Sequence, residues 1–128
     1  MKMKLISVLL ICVCFVGLIP IEAGACDESE LLTLAVEAVA ADESYTVMVS
    51  VASVLLNRVE SEQYPMSLAA VIADAGIDIS AVTPSLRARS AARDALSGFD
   101  PTAGALFYSK GKADPPFIRL KTCAWCFY

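Results

Sequence analysis

Apolar residues along this chain fall into blocks whose periods differ, and the periods predict the elements. From Glu28 to Ala41, the apolar positions Leu31, Leu32, Leu34, Ala35 and Ala38 follow a polar start of Asp27, Glu28 and Ser29. Recurrence every three to four residues marks one face of a helix, and acids in its first turn complement the helix dipole. Asp42, Glu43 and Ser44 interrupt the pattern. Tyr45 to Glu60 is then apolar on nearly every side until Asn57 and Arg58. A helix that is apolar all round is buried, so this segment predicts a central helix with the others packed about it. Its valines also suit a strand, but its length without a turn signal favours a helix.

Beyond the polar break of Glu60 to Pro65, Met66 to Ala75 predicts a short helix stopped by Gly76. Ile77 to Val82 alternates, as a short strand or an extended loop would. Thr83-Pro84 reads as an N-cap and first helical residue. The helix it opens runs from Pro84 to Ser97, with Ala88, Ala91, Ala92, Ala95 and Leu96 on one face and Gly98 at its C-terminal end. The run DPTAGALFY, Asp100 to Tyr108, reads as helix end, turn and a short strand over Ala105 to Tyr108. A polar loop, Lys110 to Pro116, separates it from a partner strand at Phe117 to Leu120. The sum is an α+β fold, mostly helical, with a buried central helix and a short C-terminal β element. No internal repeat is present.

The first residues read as something other than the domain. Lys2 and Lys4 precede an apolar run from Leu5 to Ile19, interrupted only by Ser7 and Gly17; Pro20 breaks it, and Ala23-Gly24-Ala25 offers a small-residue cleavage site. That is the pattern of a secretory signal peptide at 1–25, leaving a mature domain at 26–128. The apolar run is shorter than the roughly 20 residues that a bilayer span needs; the alternative is an uncleaved anchor. No membrane span is expected in the mature chain. Loss of Lys2, Lys4 and Glu22 moves the formal net charge from −4 to −5. Arg87, Arg89 and Arg93 are the one basic cluster, which disfavours nucleic acid as a partner.

The chain contains no histidine. Histidine triads, imidazole metal sites and histidine general bases are therefore excluded, and neither a metal nor a cofactor is expected. Of the five cysteines, Cys12 and Cys14 fall in the leader, while Cys26, Cys123 and Cys126 would enter a compartment where disulfides persist. Cys123-Ala124-Trp125-Cys126 has the spacing of a redox motif. It lies two residues from the end of the sequence instead of opening a helix, so a structural bridge is expected, either Cys123–Cys126 or Cys26 to one of them. Lipidation of Cys26 is a further alternative, with Ala23 where a lipobox usually has leucine.

The runs VMVSVASVLLNRVESEQYP, Val47 to Pro65, and DPTAGALFY, in this order and spacing, resemble the SleB-type cell wall hydrolases, the spore cortex-lytic enzymes and their relatives. The resemblance spans about Leu31 to Tyr108. It implies a lysozyme/transglycosylase-like domain, exported to the periplasm, envelope or medium, acting as a monomer on peptidoglycan glycan strands as a glycosidase or lytic transglycosylase. The family carries a glutamate near the end of the first helix, in a pattern close to AEARGE, before a helix of the type QVAVAAVVLNRV. Placing LNRV on Leu56-Asn57-Arg58-Val59 without a gap puts Tyr45 on the family tyrosine, Glu43 on the second glutamate and Val39 on the first, the catalytic one. Valine cannot donate a proton. Glu37, two residues away, points roughly 200° round the helix, whereas Glu43, four residues on, shares a face. Glu43 is thus the first candidate for the acid/base and Glu37 the second, restored if the chain shifts by two residues near Asp42. Both otherwise read as solvated helix-end carboxylates.

One carboxyl suffices for a lytic transglycosylase: it acts first as acid and then as base while the sugar's own hydroxyl closes on the anomeric carbon. Such a group needs its pKa raised, which an apolar pocket supplies. Tyr45, Tyr64, Phe107 and Tyr108 suit stacking on sugar faces, and Asn57 and Arg58 are placed to bond either backbone or glycan. Each aromatic equally suits a core. Where the family has a Gln-Phe-Ser-like turn and a terminal histidine before an aromatic, this chain has Ala75 to Ser80 and Cys126-Phe127-Tyr128. A catalytically inactive descendant that binds peptidoglycan or a partner protein is the alternative, and an exported structural domain sharing only the fold is a third.

Overall fold

The computed structural model describes residues 27–111, 118–122 and 124–128. The expected leader at 1–25, Cys26, residues 112–117 of the expected polar loop and partner strand, and Cys123 lie outside the described residues.

Among the described residues, four helices form most of the structure: α1 Glu28–Ala40, α2 Tyr45–Glu60, α3 Leu68–Asp74 and α4 Leu86–Leu96. The start of each is capped by the side chain before it. Asp27 accepts from Ser29 N–H, Ser44 from Val47, Ser67 from Ala70 and Ser85 from Ala88, which satisfies backbone donors that have no partner inside the helix. α2 is the buried centre, as its composition predicts: every residue from Val47 to Leu55 is buried. Its two buried serines return their hydroxyls to the helix backbone, Ser50 to Thr46 O and Ser53 to Val49 O. α1 and α4 pack against α2 and against each other, and α3 closes the remaining side. Ala88, Ala91, Ala92 and Ala95 form the inner face of α4, and their small side chains allow the helices to approach closely.

Two sequence expectations shift. α4 is capped by Ser85 and not by Thr83, because the Ser85 hydroxyl both accepts from Ala88 N–H at 3.1 Å and donates to Glu37 Oε2 on α1 at 2.6 Å. Ile77 to Val82 forms no strand. Gly76, at φ 70°, turns the chain out of α3, and the Asp78 carboxylate accepts from both Ser80 N–H and Ser80 Oγ, a local closure that competes with pairing.

The sheet has three antiparallel strands, β1 Tyr108–Lys110, β2 Leu120–Thr122 and β3 Trp125–Phe127, in the order β1-β3-β2. The centre is β3, in the segment expected only to hold a cysteine bridge. Leu120, the described end of the expected partner strand, therefore pairs with β3 and not with the Ala105 to Tyr108 segment. Leu106 and Phe107 both donate to Tyr128 O, and the ladder proper begins at Tyr108. Trp125 and Phe127 share one face of β3 and join the helical core. Among the described residues, no helix is long and apolar enough to cross a membrane.

The link between α4 and the sheet is organised by Asp100. Its Oδ1 accepts from Thr102 N–H and Thr102 Oγ1, and its Oδ2 accepts from Gly104 N–H and Asn57 Nδ2. Asn57 uses its second amide hydrogen on Ala105 O at 3.0 Å, and Arg58 Nε donates to Leu106 O at 2.8 Å. Gly104 sits at φ 90°, a conformation that an L side chain would strain. The C-terminal end of α2 thus holds the DPTAGAL backbone residue by residue. Partial burial pushes the Asp100 carboxyl up, but the hydrogen bonds from Thr102, Asn57 and Gly104 outweigh it and hold the group below the usual aspartate range.

An Asp100→Ala variant should lose about 2–3 kcal/mol in urea unfolding at neutral pH, the scale of hydrogen bonds to a charged group. Because the folded carboxyl titrates below the unfolded one, its contribution is complete above the ordinary aspartate range and declines as pH falls through the folded midpoint. Wild type and variant stabilities should therefore converge in acid; a gap independent of pH would show that the carboxylate charge is not what holds the turn.

Candidate active site

Glu43 lies in the turn between α1 and α2, and its backbone is fixed from two sides. Its N–H donates to Ala40 O at 3.2 Å, and its carbonyl accepts from Arg87 Nη2, in the first turn of α4, at 3.0 Å. The side chain reaches toward the sheet, where Lys110 Nζ donates to Oε1 at 2.5 Å. The same ammonium lies 5.8 Å from the centre of the Trp125 ring. The Lys110 hydrogen bond holds the Glu43 carboxyl below its ordinary range, with slight desolvation acting against it and the Trp125 indole and the Lys110 charge acting with it. The indole N–H is buried without an acceptor within hydrogen-bond distance, so its influence on the carboxylate is exerted at longer range.

Glu37 is turned to a different neighbour. Its Oε2 accepts from Ser85 Oγ, tying α1 to the cap of α4. Val39 packs against the core. Tyr45, at the start of α2, donates to Asp94 Oδ2 on α4; that hydrogen bond, then burial, raises its phenol. Of the expected basic face, Arg87 holds the Glu43 carbonyl and Arg89 pairs with Glu30 at 3.0 Å.

Asn57 and Arg58 both bond backbone of the Asp100–Leu106 turn. Beyond that bond, the Arg58 guanidinium lies over three rings, 5.2 Å from the centre of Tyr64, 5.9 Å from Phe107 and 5.7 Å from Tyr108. Tyr108 continues to Trp125 with ring centres 5.9 Å apart, and burial raises its phenol against the opposing pull of the Arg58 charge. Phe107 stacks on Tyr128 at 5.5 Å and 16° and is 44% exposed. A chain of rings therefore runs from Arg58 through Tyr108 and Trp125 to the Glu43–Lys110 pair. Cys126 is buried on β3; its expected partners, Cys123 and Cys26, lie outside the described residues.

The structure thus brings Glu43 and Tyr108 to the two ends of one aromatic contact, through Trp125 and Lys110. It leaves Glu37 and Tyr45 in ties between helices. Lys110 and Trp125 were not legible as site residues. Lys110 stands in what reads as a polar loop, and its approach to Glu43 is made by the register Lys110↔Trp125. The aromatic tail Trp125-Cys126-Phe127-Tyr128 did carry a strand signal, masked by the cysteine spacing. A separate cavity of about 450 Å³ lies beside the C-terminal half of α2, lined by Ser53, Asn57, Glu60, Leu96 and Asp100 among others; Glu43 does not line it.

A family model described as Cell Wall Hydrolase matches residues 42–126. The spore cortex-lytic enzyme of Bacillus subtilis is 37% identical over 100 residues, 72% of this chain and 32% of that protein. Its counterpart from Bacillus cereus is 36% identical over 91 residues, 64% of this chain and 34% of that protein. The chain spans about a third of the length of the curated relatives it matches. Among solved structures, the catalytic domain of the Bacillus cereus SleB protein superposes with a TM-score of 0.63 at 26% identity, covering 81% of this chain and 92% of that one. The catalytic domain of the germination-specific lytic transglycosylase SleB from Bacillus anthracis does so with a TM-score of 0.63 at 28% identity, covering 81% and 97%. The mostly helical lysozyme-like architecture read from the sequence is the architecture observed.

Arg58→Lys should cost about 1–2 kcal/mol in urea unfolding, because an ammonium cannot keep the Nε bond to Leu106 O and a planar contact with three rings together. Near-ultraviolet circular dichroism from the Tyr64, Phe107 and Tyr108 cluster should weaken in parallel. Unchanged stability and spectrum would mean that the rings hold one another without the guanidinium.

Proposed function

The chain belongs to the cell wall hydrolase family, and from that membership we propose that it cleaves the glycan strands of peptidoglycan. In this reading residues 1–25 direct export, and the domain at 26–128 works as a monomer in the cell envelope or outside it, with Cys123 and Cys126 bridged or one of them joined to Cys26. The leader pattern supports export, and the names of the relatives, spore cortex-lytic enzyme and lytic transglycosylase, support the substrate.

Glu43 is the acid/base. As an acid it protonates the glycosidic oxygen; as a base it then takes a proton from the sugar's own hydroxyl, giving an anhydro end, or from water, giving a reducing end. The observation that carries this choice is the placement of the Glu43 side chain, which starts from the α1–α2 turn and reaches Lys110 on the sheet; its carboxyl is held low by Lys110 and not raised by an apolar pocket as expected. Glu37 is the weaker candidate because its carboxylate already accepts from Ser85. Tyr108 and Phe107, with Arg58 behind them, form the sugar-binding side; Asn57 supports it through the Asp100 turn, and Tyr45, tied to Asp94, is a more distant candidate.

A second reading is favoured by Val39 at the family's glutamate position and by the ion pair that holds Glu43: a catalytically silent domain that binds peptidoglycan or a partner protein. Purified sacculi distinguish the two. The hydrolase should release muropeptides, and Glu43→Gln should reduce the release about 100-fold or more. Equal release by the two would remove Glu43 from the chemistry. Sedimentation with sacculi without any release by wild type would establish the silent binder, and activity gained on Val39→Glu would then locate the lost acid.

A further inference from the structure

Glu43 is anchored more firmly than a turn carboxylate requires. With its N–H on Ala40 and its carbonyl on Arg87, only the side chain is free to move. That side chain is 23% exposed, whereas its partner Lys110 is 58% exposed. The ammonium is the more solvent-exposed member of the pair, and the carboxylate starts from a backbone held on both sides. The Trp125 ring gives that ammonium a second contact, since 5.8 Å from the ring centre is within the range of a cation–π attraction.

Among the described residues, the charged groups about Glu43 are few. From β1 comes Lys110. From α4 comes Arg87, whose guanidinium is engaged by the Glu43 carbonyl. The neighbouring Asp42 is exposed in the same turn. From β3 comes only the neutral indole of Trp125. Lys110 is therefore the cation in direct contact with the carboxylate. A carboxylate touching an ammonium stays ionised, and an ionised carboxylate has no proton to give to a glycosidic oxygen.

We propose that Lys110 is a positioning residue that gates Glu43: the ion pair keeps the carboxylate in place and unprotonated, and a bound glycan strand has to draw the ammonium away before Glu43 acts as an acid. The proposal rests on the reading of Glu43 as the acid/base. It differs from that reading in assigning the protonation state of the acid to a residue on the sheet.

The test uses the full chain as wild type, Lys110→Met and Lys110→Arg. The Glu43 carboxyl is followed by 13C NMR across acidic pH, assigned by its loss in Glu43→Gln. Muropeptide release from sacculi is measured over the same range. The midpoint should move upward in Lys110→Met and stay near wild type in Lys110→Arg, and the pH profile of release should move upward with it. A midpoint unchanged in Lys110→Met overturns the proposal, as does a shifted midpoint in an active enzyme whose pH profile stays where it was. A shifted midpoint in a protein that releases nothing overturns the hydrolase reading instead, and leaves Lys110 in control of the Glu43 proton.

Discussion

The four hydrogen bonds accepted by the Asp100 carboxylate fix where the chain goes once it leaves α4. Two oxygens gather Thr102, Gly104 and Asn57, so the turn is closed on itself and bolted to the end of the central helix at the same time. Asn57 and Arg58 extend the attachment to Ala105 and Leu106. β1 begins two residues later. The start of β1, and with it the position of Lys110, is thus tied to the C-terminal end of α2 by polar contacts.

The helical core supplies the rigidity on which this attachment acts. An apolar α2 buried from Val47 to Leu55 and an alanine face on α4 leave little room for adjustment, because interiors are packed at the density of organic crystals. Small movements of the sheet are opposed by Trp125 and Phe127, which enter that core from β3. The sheet is short, three residues per strand, and three-residue strands pair weakly by themselves. Its stability comes from this aromatic anchorage together with the ring contacts from Arg58 to Trp125.

The electrostatics of the site follow from what the chain lacks. Without histidine, no imidazole is present to titrate near neutral pH, and the protonation of Glu43 is set by the groups around it. In the observed arrangement the surroundings favour the anion, because an ammonium is in contact and burial is slight.

Local pattern determined the helices and much of the family likeness. The all-round apolar run predicted the bounds Tyr45–Glu60 as observed; the four alanines predicted the inner face of α4, although Leu96, expected with them, is exposed; and DPTAGALFY predicted a turn into a strand, which runs from Tyr108 to Lys110 and not from Ala105 to Tyr108. These signals are legible because helix periodicity, capping and turn chemistry act between residues a few positions apart. Only the tertiary structure decided that β3 is the central strand, that Ser85 and not Thr83 caps α4, that Tyr45 turns to Asp94, and that Lys110 meets Glu43 across 67 positions of sequence. Each of these depends on a partner supplied by another element, Glu37 for Ser85 and strand register for Lys110. No local pattern in a single chain records which distant side chain will arrive.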